Sequence, residues 1–306
     1  MNKPWVSIVT VSHSAKSASY LMRLIDTLNK QTFRDFELIV VDNEGSETLK
    51  RWLELRRDIY TTRYVRNISE YKGYPGGVSA GVKESQGQLL LILNPDTRLE
   101  HTFLATMVRE FNRQPADVMV LIPKVMIRDS DVINSIGMKR IRPNENIYTN
   151  IGWMERDVGQ FDQPIIVKAF DGAAFMIKRE LLKYTYVFDP RFFFGHDSTD
   201  LAERVDKLGF SMRTCPSAVV KHEVRSTVAE DSNKLLNVLL VRNLLIHTLH
   251  NRGRATFVYT LVVGILLRHL ILPVVIRHRN VPGPMTYALG VARFFFDIGR
   301  FPKLTT

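Results

Sequence analysis

Cysteine is almost absent from this 306-residue sequence. The single thiol, at Cys215, excludes a disulfide within one chain and is typical of proteins that work in a reducing compartment. The first residues contain one lysine and then have the pattern of a β-strand, so a signal peptide is not expected. Both observations favour the cytoplasm.

Long hydrophobic runs are also missing, although 45% of the residues are apolar. The longest run without a charged residue, 255–267, has 13 residues. A helix that crosses a membrane needs roughly 20. The sequence therefore does not predict a membrane-spanning helix.

Acidic residues are scarce in the last quarter of the chain. From residue 234 onward the sequence has ten lysines and arginines but one acid, Asp297, and this segment carries +9 of the net charge of +11. Apolar runs interrupted by basic residues are typical of amphipathic helices that lie on an anionic membrane surface. The alternative is an ordinary helical subdomain packed on the main domain. Four histidines of this segment are expected at the interface between the helices and the membrane: His247, His250, His269 and His278.

These differences predict two units. Residues 1–230 would form the main domain, and residues 231–306 would form a basic, apolar helical appendage that binds the cytoplasmic face of the membrane peripherally. The positive charge also suggests a nucleic-acid-binding protein. However, the charge concentrates among apolar helices and not on a polar, aromatic-studded face, so we expect no nucleic acid partner.

Two common phosphate-binding motifs are missing as well. The sequence has neither a G-x-G-x-x-G after its first strand nor a G-x-x-x-x-G-K-[ST] loop, which disfavours a nicotinamide-dinucleotide fold and a P-loop NTPase. What it has is an alternation of predicted strands and helices. The strands are predicted at 6–11, 36–43, 62–67, 88–96 and 117–126, and the helices at 20–31, 47–57, 76–86 and 102–114.

This alternation predicts an α/β fold with a mostly parallel, doubly wound sheet, in which ligands bind beyond the carboxyl ends of the strands. Residues 128–165 are polar and poorly periodic, so we expect them to be irregular. A strand interrupted at Asp171 and Gly172 and followed by a helix is predicted over 167–182. A helix after an acidic cluster is predicted within 189–210, and a final strand over 214–227.

Two carboxylates stand at the ends of predicted strands. Asp96 follows the apolar run "LLLIL" at 89–93, and Asp42 ends an earlier strand, so the fold places both at one edge of the sheet. A carboxylate there can bind Mg²⁺, which completes its shell with water and phosphate oxygens. The alternative for each is a structural one: Asp42 can cap a loop, and Asp96 or Thr97 can cap the helix near residue 102.

A glycine cluster, "KGYPGGVSAG", stands before and inside a predicted helix start. Glycines at such a position let the backbone approach a phosphate or a sugar at the helix N-terminus. The cluster consists of Gly73, Gly76, Gly77 and Gly81.

In order, these motifs read "VSIVTVSH…FELIVVDN…GYPGGVSAG…LLLILNPDT…DGAAFMIKRE…FDPRFFFGHDSTDLAERVDKLGF…AVVKHE". The series resembles inverting glycosyltransferases of family 2, which have the GT-A fold, and is most similar to the rhamnosyltransferase-like branch that acts on polyprenyl-linked glycans. The resemblance covers about residues 5–227. It implies an enzyme of cell-surface polysaccharide synthesis, such as that of the cell wall or O-antigen, which transfers a sugar such as rhamnose. The donor would be a dTDP- or UDP-sugar, the cofactor Mg²⁺ or Mn²⁺, and the acceptor a polyprenyl-linked glycan.

The resemblance also implies roles for single residues on the donor side. Thr10 and Asp42 would contact the base and the ribose of the donor nucleotide. Gly73 and Gly77 would lie under the donor.

Further roles are implied on the metal and acceptor sides. Asn94 and Asp96 stand at the family's D-x-D-like motif, where Asp96 would bind the metal that bridges the diphosphate. His222 matches a histidine that often completes this metal site. Asp171 and Gly172 match a pair on the acceptor side.

One motif departs from the family pattern. The branch usually has Glu-Asp-x-Asp at its catalytic acid cluster, whereas this chain reads "GHDSTDL". An ungapped alignment places Ser198 at the base, and a shift of one residue places Asp197 there, with His196 replacing the glutamate. We predict Asp197 as the base, because a serine is not ionised at neutral pH. Asp200 is the alternative base or a helix cap, and a noncatalytic relative is the alternative for the whole chain.

Overall fold

The computed structural model describes residues 3–13, 15–56, 58–141, 148–223, 233–262 and 284–298. The strands are β1 (Val6–Ser12), β2 (Phe36–Asp42), β3 (Thr61–Arg66), β4 (Leu89–Leu93), β5 (Thr97–Leu99), β6 (Val118–Ile127), β7 (Ile133–Ser135), β8 (Met138–Arg140), β9 (Tyr148–Asn150), β10 (Ala174–Lys178) and β11 (Ser211–His222). The helices are α1 (Ala15–Asn29), α2 (Glu47–Leu55), α3 (Tyr74–Glu84), α4 (Phe103–Asn112), α5 (Asp197–Lys207), α6 (Asn233–Tyr259) and α7 (Pro284–Ile298). Short 3₁₀ helices cover Arg179–Lys183 and Pro190–Phe192.

One large sheet has the strand order β3-β2-β1-β4-β10-β6-β11-β5, with β7 paired to β6. The first four strands of this order are parallel, as predicted from the alternation with helices. β10 then lies antiparallel between β4 and β6, and β5 lies antiparallel to β11. The predicted doubly wound α/β architecture is present, and its second half is a mixed sheet.

Helices cover both faces of this sheet, which explains why β1, β2 and β4 are apolar runs without alternation. On one face, side chains such as Ile8, Leu38 and Leu91 pack with α1, α2 and α4. On the other face, Val9, Ile39 and Ile92 pack with α3 and α5. The carboxyl ends of the parallel strands therefore remain free to form a cleft.

The expectation that residues 128–165 are irregular is wrong in part. β7 pairs antiparallel with the last part of β6, and β8 pairs with β9 as a separate two-stranded sheet. These strands are only three residues long, too short for a period-2 pattern to stand out in the sequence.

The C-terminal region is helical, as predicted. α6 has a kink at Gly253, which has a left-handed φ of 78°. α6 and α7 pack on each other and on Phe192 of the main domain through Val241, Leu245 and Phe294. Neither these helices nor any other in the described ranges has both the length and the apolar character needed to cross a bilayer.

Some predictions for the C-terminal region concern residues that the structure does not describe, and one prediction, for His247, is wrong. The proposed boundary near residue 230 and the last five residues of the uncharged run, 263–267, lie outside the described residues. The expectation that His247 lies at an interface is wrong, because its side chain is fully buried and Asn251 lies 3.3 Å from its Nδ1. His269 and His278 also lie outside the described residues.

Candidate active site

A carboxylate and an imidazole meet where β4 and β11 end. β5 pairs antiparallel with β11 and places Thr97 opposite His222, which brings the preceding Asp96 to the same point. Oδ1 of Asp96 lies 3.2 Å from Nε2 of His222, and both side chains are largely buried. Burial by itself lowers the pKa of His222, but the hydrogen bond and the charge of Asp96, with smaller effects of Asp171 and Glu223, raise it above 6.5.

This pair fits a divalent cation. Two ligand atoms 3.2 Å apart match neighbouring positions around an octahedral ion, since ligand bonds of about 2.1 Å give a separation of about 3 Å. In the part of the chain that the structure describes, no three His, Cys, Asp or Glu side chains converge as ligands. Two protein ligands are enough for Mg²⁺ or Mn²⁺ when phosphate oxygens and water complete the shell.

The acceptor-side prediction concerns the bend before β10. Asp171 Oδ1 accepts a hydrogen bond from the Ala173 N–H at 2.8 Å, and the Gly172 carbonyl accepts one from the hydroxyl of Tyr74 at 3.3 Å. The Asp171 charge raises the pKa of both His222 and Asp197. The bend therefore lies between the Asp96–His222 pair and the acid cluster.

Asp197 is the first residue of α5 and lies beside Gly172. A β-carbon at Gly172 would be 3.8 Å from Oδ1 of Asp197, and that oxygen accepts a hydrogen bond from the Ser198 N–H at 2.7 Å. Burial raises the pKa of Asp197 to about 6, the Ser198 N–H opposes the shift and the charge of Asp171 adds to it. A carboxylate with a pKa of this size is ionised at neutral pH and takes up a proton readily, as a general base must.

Asp200 has other partners. Its carboxylate forms an ion pair with Arg204 at 2.9 Å and accepts a hydrogen bond from the Asn251 amide of α6 at 2.7 Å. The suggestion that Asp200 caps α5 is wrong, because it lies inside the first turn and His196 occupies the N-cap position. The same holds for Asp96 and Thr97 as caps of α4, where Thr102 is the N-cap residue.

Asp42 ends β2, and its carboxylate organises the loop that follows. Oδ1 accepts hydrogen bonds from the N–H groups of Glu44 and Gly45, and Oδ2 accepts them from the Ser46 N–H and the Tyr64 hydroxyl, all at 2.6–3.0 Å. The structural alternative for Asp42, a loop cap, therefore holds. A contact between Asp42 and the ribose or base of the donor stays a prediction. The four hydrogen bonds already occupy most of the acceptor positions of this carboxylate.

The glycine cluster packs closely against its neighbours. A β-carbon would lie 2.2 Å from the Phe193 carbonyl oxygen at Gly73 and 2.5 Å from Val11 Cγ1 at Gly77. The two glycines are thus required for α3 to pack closely against β1 and against the backbone at Phe193, whether or not a ligand binds next to them. Their position under a donor stays a prediction.

Thr10 of β1 and Asn94, which directly follows the neighbouring strand β4, lie at the same edge of the sheet. In the described structure the buried Thr10 Oγ1 has no hydrogen-bond partner, although Thr10 is paired through its backbone with β2 and β4. An unpaired buried hydroxyl is unusual and fits a group that binds a ligand. The Asn94 N–H donates to the Ala173 carbonyl at 2.9 Å, which joins the turn at Asp96 to the Asp171 bend.

The structure adds two candidate functional residues, Tyr74 and His13, that the sequence did not indicate. Burial raises the pKa of Tyr74, and the charges of Asp197, Asp96 and Asp171 raise it further, so its hydroxyl lies within electrostatic reach of all three carboxylates. Burial lowers the pKa of His13 to about 4, and its neutral ring lies 6.2 Å from that of Tyr74. The position of Tyr74 inside the glycine cluster was the one signal available for it.

Comparison with known proteins shows the family of this chain. The sequence profile described as glycosyl transferase family 2 matches residues 7–185. Because the match covers more than half of the chain, this protein belongs to glycosyl transferase family 2.

Two curated relatives carry more specific names. The chain is 21% identical over 183 residues to the low-salt glycan biosynthesis hexosyltransferase Agl10 of Haloferax volcanii, with 58% of this chain and 56% of the relative covered. It is 27% identical over 99 residues to the GalNAc(5)-diNAcBac-PP-undecaprenol β-1,3-glucosyltransferase of Campylobacter jejuni, with 32% of each chain covered. The chain thus spans about half or less of the length of these relatives.

A solved structure shows the same fold over nearly the whole chain. The mannosyltransferase PcManGT from Pyrobaculum calidifontis, in complex with GDP-Man and Mn²⁺, superposes with a TM-score of 0.56 at 17% identity. The match covers 99% of this chain and 77% of that protein. The predicted GT-A fold is therefore confirmed.

Proposed function

We propose that this protein is an inverting, divalent-metal-dependent hexosyltransferase. It would transfer a sugar from a nucleoside-diphospho-sugar to a glycan carried on a polyprenyl diphosphate. The observation that carries the proposal is that the Asp96–His222 pair, the Asp171–Gly172 bend and the buried Asp197 all lie within electrostatic or hydrogen-bond reach of Tyr74.

Asp197 takes the proton in the proposed reaction. A hydroxyl of the acceptor is too weak an acid to attack unaided, and a carboxylate within hydrogen-bond reach accepts its proton as the new bond forms. The acceptor oxygen bonds to the anomeric carbon while the bond from that carbon to the diphosphate oxygen breaks. A single displacement from the opposite side inverts the anomeric carbon.

Asp96 and His222 would hold the metal ion. When bound, the ion would offset the negative charge that develops on the departing nucleoside diphosphate. Asp96 is suited to this role, because the β4–β5 turn and the pairing of β5 with β11 hold its backbone: the Asp96 carbonyl accepts a hydrogen bond from the Glu223 N–H at 3.1 Å.

The membrane surface belongs to the same proposal. α7 exposes large apolar side chains, which include Met285 at 72% and Leu289 at 51% exposure. The exposed Arg254, with Tyr259 and Val262 nearby in sequence, gives the end of α6 a similar mixture of charge and apolar surface. Such a surface fits peripheral binding to anionic lipids, which would place the enzyme beside a lipid-linked acceptor.

The proposal is tested by a screen of sugar nucleotides followed by a transfer assay. Purified protein is melted with dTDP-, UDP- and GDP-sugars in the presence of Mn²⁺ or Mg²⁺, because a bound ligand raises the melting temperature according to its affinity. The donors that stabilise the protein are then incubated with short-chain polyprenyl-diphosphate glycans, and the products are identified by mass spectrometry. If no donor raises the melting temperature with either ion, the proposal is wrong.

A further inference from the structure

The segment in front of Asp197 has an unusual backbone. Phe193, Gly195 and His196 have φ values of 56°, 79° and 63°, so three of the four residues before Asp197 lie in the left-handed region. Residues other than glycine rarely adopt this region, and they remain there only where the surrounding structure holds them. This turn, residues 192–196, therefore depends on groups outside it that hold its backbone.

The side chain of Asn243, in α6, contacts three backbone carbonyl groups of the 192–196 turn. The side-chain amide of Asn243 is fully buried, and its Nδ2 lies 2.6, 2.8 and 3.1 Å from the carbonyl oxygens of Phe192, Phe194 and Gly195, so its two N–H groups serve three acceptors and one N–H is shared. The Phe193 carbonyl accepts a hydrogen bond from the N–H of Tyr74 at 2.9 Å. The turn is therefore fixed between the start of α3 and the middle of α6.

A buried ion pair sets the orientation of this amide. Arg242 Nη1 donates to Oδ1 of Asn243 at 2.8 Å and to the Arg191 carbonyl at 3.0 Å. Arg242 Nε in turn lies 2.6 Å from the carboxylate of Asp297 on α7, and both side chains are almost fully buried. With Oδ1 taken by Arg242, Nδ2 must face the turn, so α7 contributes to the geometry through Arg242.

We propose that Asn243 is a positioning residue for Asp197: by binding the carbonyls of the 192–196 turn, it holds the first turn of α5 so that the Asp197 carboxylate faces the Asp171–Gly172 bend. This inference rests on the proposed function, in which Asp197 is the general base. It assigns the C-terminal helices a role in the reaction as well as at the membrane. Misplacement of a reacting group by about 1 Å is enough to reduce a rate about 100-fold.

The test compares Asn243→Ala with Val241→Ala in the full-length protein. Val241 is a buried residue of the same helix that packs against Gly290 of α7 and shares the apolar cluster of Phe192, so its truncation loosens the apolar contact to the turn without removing a hydrogen bond to it. Asn243→Asp is a third variant of equal shape, whose side chain accepts hydrogen bonds from Arg242 but has no N–H for the three carbonyls.

Two measurements separate positioning from a loss of stability. We expect Asn243→Ala and Asn243→Asp to lower kcat by about 10- to 100-fold, with the KM for the donor changed by less than about threefold. The acidic limb of their pH–rate profile should move to lower pH, because a relaxed turn admits water to Asp197. In hydrogen–deuterium exchange, a peptide over residues 190–200 should exchange at least about tenfold faster while the sheet stays protected. Val241→Ala, which keeps the three carbonyl contacts, should show much smaller changes in kcat and in exchange.

Equal kcat values and equal exchange in Asn243→Ala and Val241→Ala would overturn the inference, as would an Asn243→Asp variant with wild-type behaviour. Failure of the proposed function has a different signature, since the wild-type protein would then transfer no sugar. The exchange measurement still decides in that case whether Asn243 holds the turn.

Discussion

Nε2 of His222 lies 3.2 Å from Oδ1 of Asp96, and neither side chain is more than slightly exposed. The two residues are far apart in the sequence and meet because β5 pairs with β11. Without a metal, the raised pKa of His222 favours an imidazolium–carboxylate ion pair. A metal ion and a proton would therefore compete for the same imidazole.

We expect Asp96→Asn to abolish transfer and to remove Mn²⁺-dependent donor binding, because an amide is a poor substitute for a carboxylate that neutralises a cation. Calorimetric titration of the donor with and without Mn²⁺ measures this. Asp131→Asn, at a carboxylate that is half exposed and paired with Arg156, serves as the control and should bind the donor normally. Wild-type activity that survives EDTA would contradict the role of the metal.

The rate of transfer should depend on pH through Asp197. Because burial raises the pKa of Asp197 to about 6, the carboxylate becomes protonated as the pH falls through this value and can no longer accept a proton. We expect kcat to fall about tenfold for each pH unit well below that pKa. A profile measured at saturating donor that stays flat down to about pH 4.5 would exclude Asp197 as the base.

Replacement of the base should stabilise the protein. Since the folded-state pKa is raised from 3.8 to about 6, the ionised carboxylate destabilises the fold fully above about pH 6 and not below about pH 3.8. Asp197→Asn should therefore lower kcat at least about 100-fold while it raises the free energy of unfolding by up to roughly 3 kcal/mol near pH 7.5. Denaturant titrations near pH 7.5 and pH 4.5 measure the difference, which should be smaller at the lower pH. A destabilised Asp197→Asn at the higher pH would contradict the raised pKa.

Asp200→Asn should have the opposite pattern. The substitution removes the charge that pairs with Arg204, although Arg204 keeps hydrogen bonds to the carbonyls of Tyr186 and Val187. We expect a loss of about 2 kcal/mol in the free energy of unfolding, below the range for breaking a buried pair outright, and a kcat within a few-fold of wild type. A fully stable but inactive Asp200→Asn would show that Asp200 is the base and that the assignment to Asp197 is wrong.

Membrane binding should depend on the apolar face of α7. The double variant Met285→Ser/Leu289→Ser removes two exposed side chains one helical turn apart, and we expect at least about tenfold weaker binding to phosphatidylglycerol vesicles in a flotation assay. Ile68→Ser/Val158→Ser, at two highly exposed apolar residues of the main domain, is the matched control. Equal binding by both double variants would exclude α7 as the membrane contact.

The fold was predictable where local pattern is sufficient. The run 89–93 is buried on both faces of the sheet, so its apolar residues and the polar end at Asn94 identify a strand and its terminus directly. The glycines were recognised as constrained, but the sequence could not show that the neighbours of Gly73 and Gly77 are Phe193 and Val11.

Long-range contacts set the limit of the sequence argument. Nothing near Asp42 in the sequence shows that Tyr64 donates to its carboxylate, and nothing near His247 shows that α6 buries it. For the same reason Asn243 looked like one polar residue in an apolar helix, although it contacts three carbonyls of a turn in the main domain.

The ion pair between Arg242 and Asp297 has a consequence during protein synthesis. A growing chain contains Asp96, Asp171, Asp197 and His222 before Asn243 has been translated, and well before Asp297 has been. If the main domain binds a sugar nucleotide as proposed, a nascent chain would do so while its 192–196 turn still lacks the amide that holds it. On the proposed function, Asp197 would reach its working position only when α6 and α7 have folded onto the domain, which would limit premature loss of the donor sugar to water.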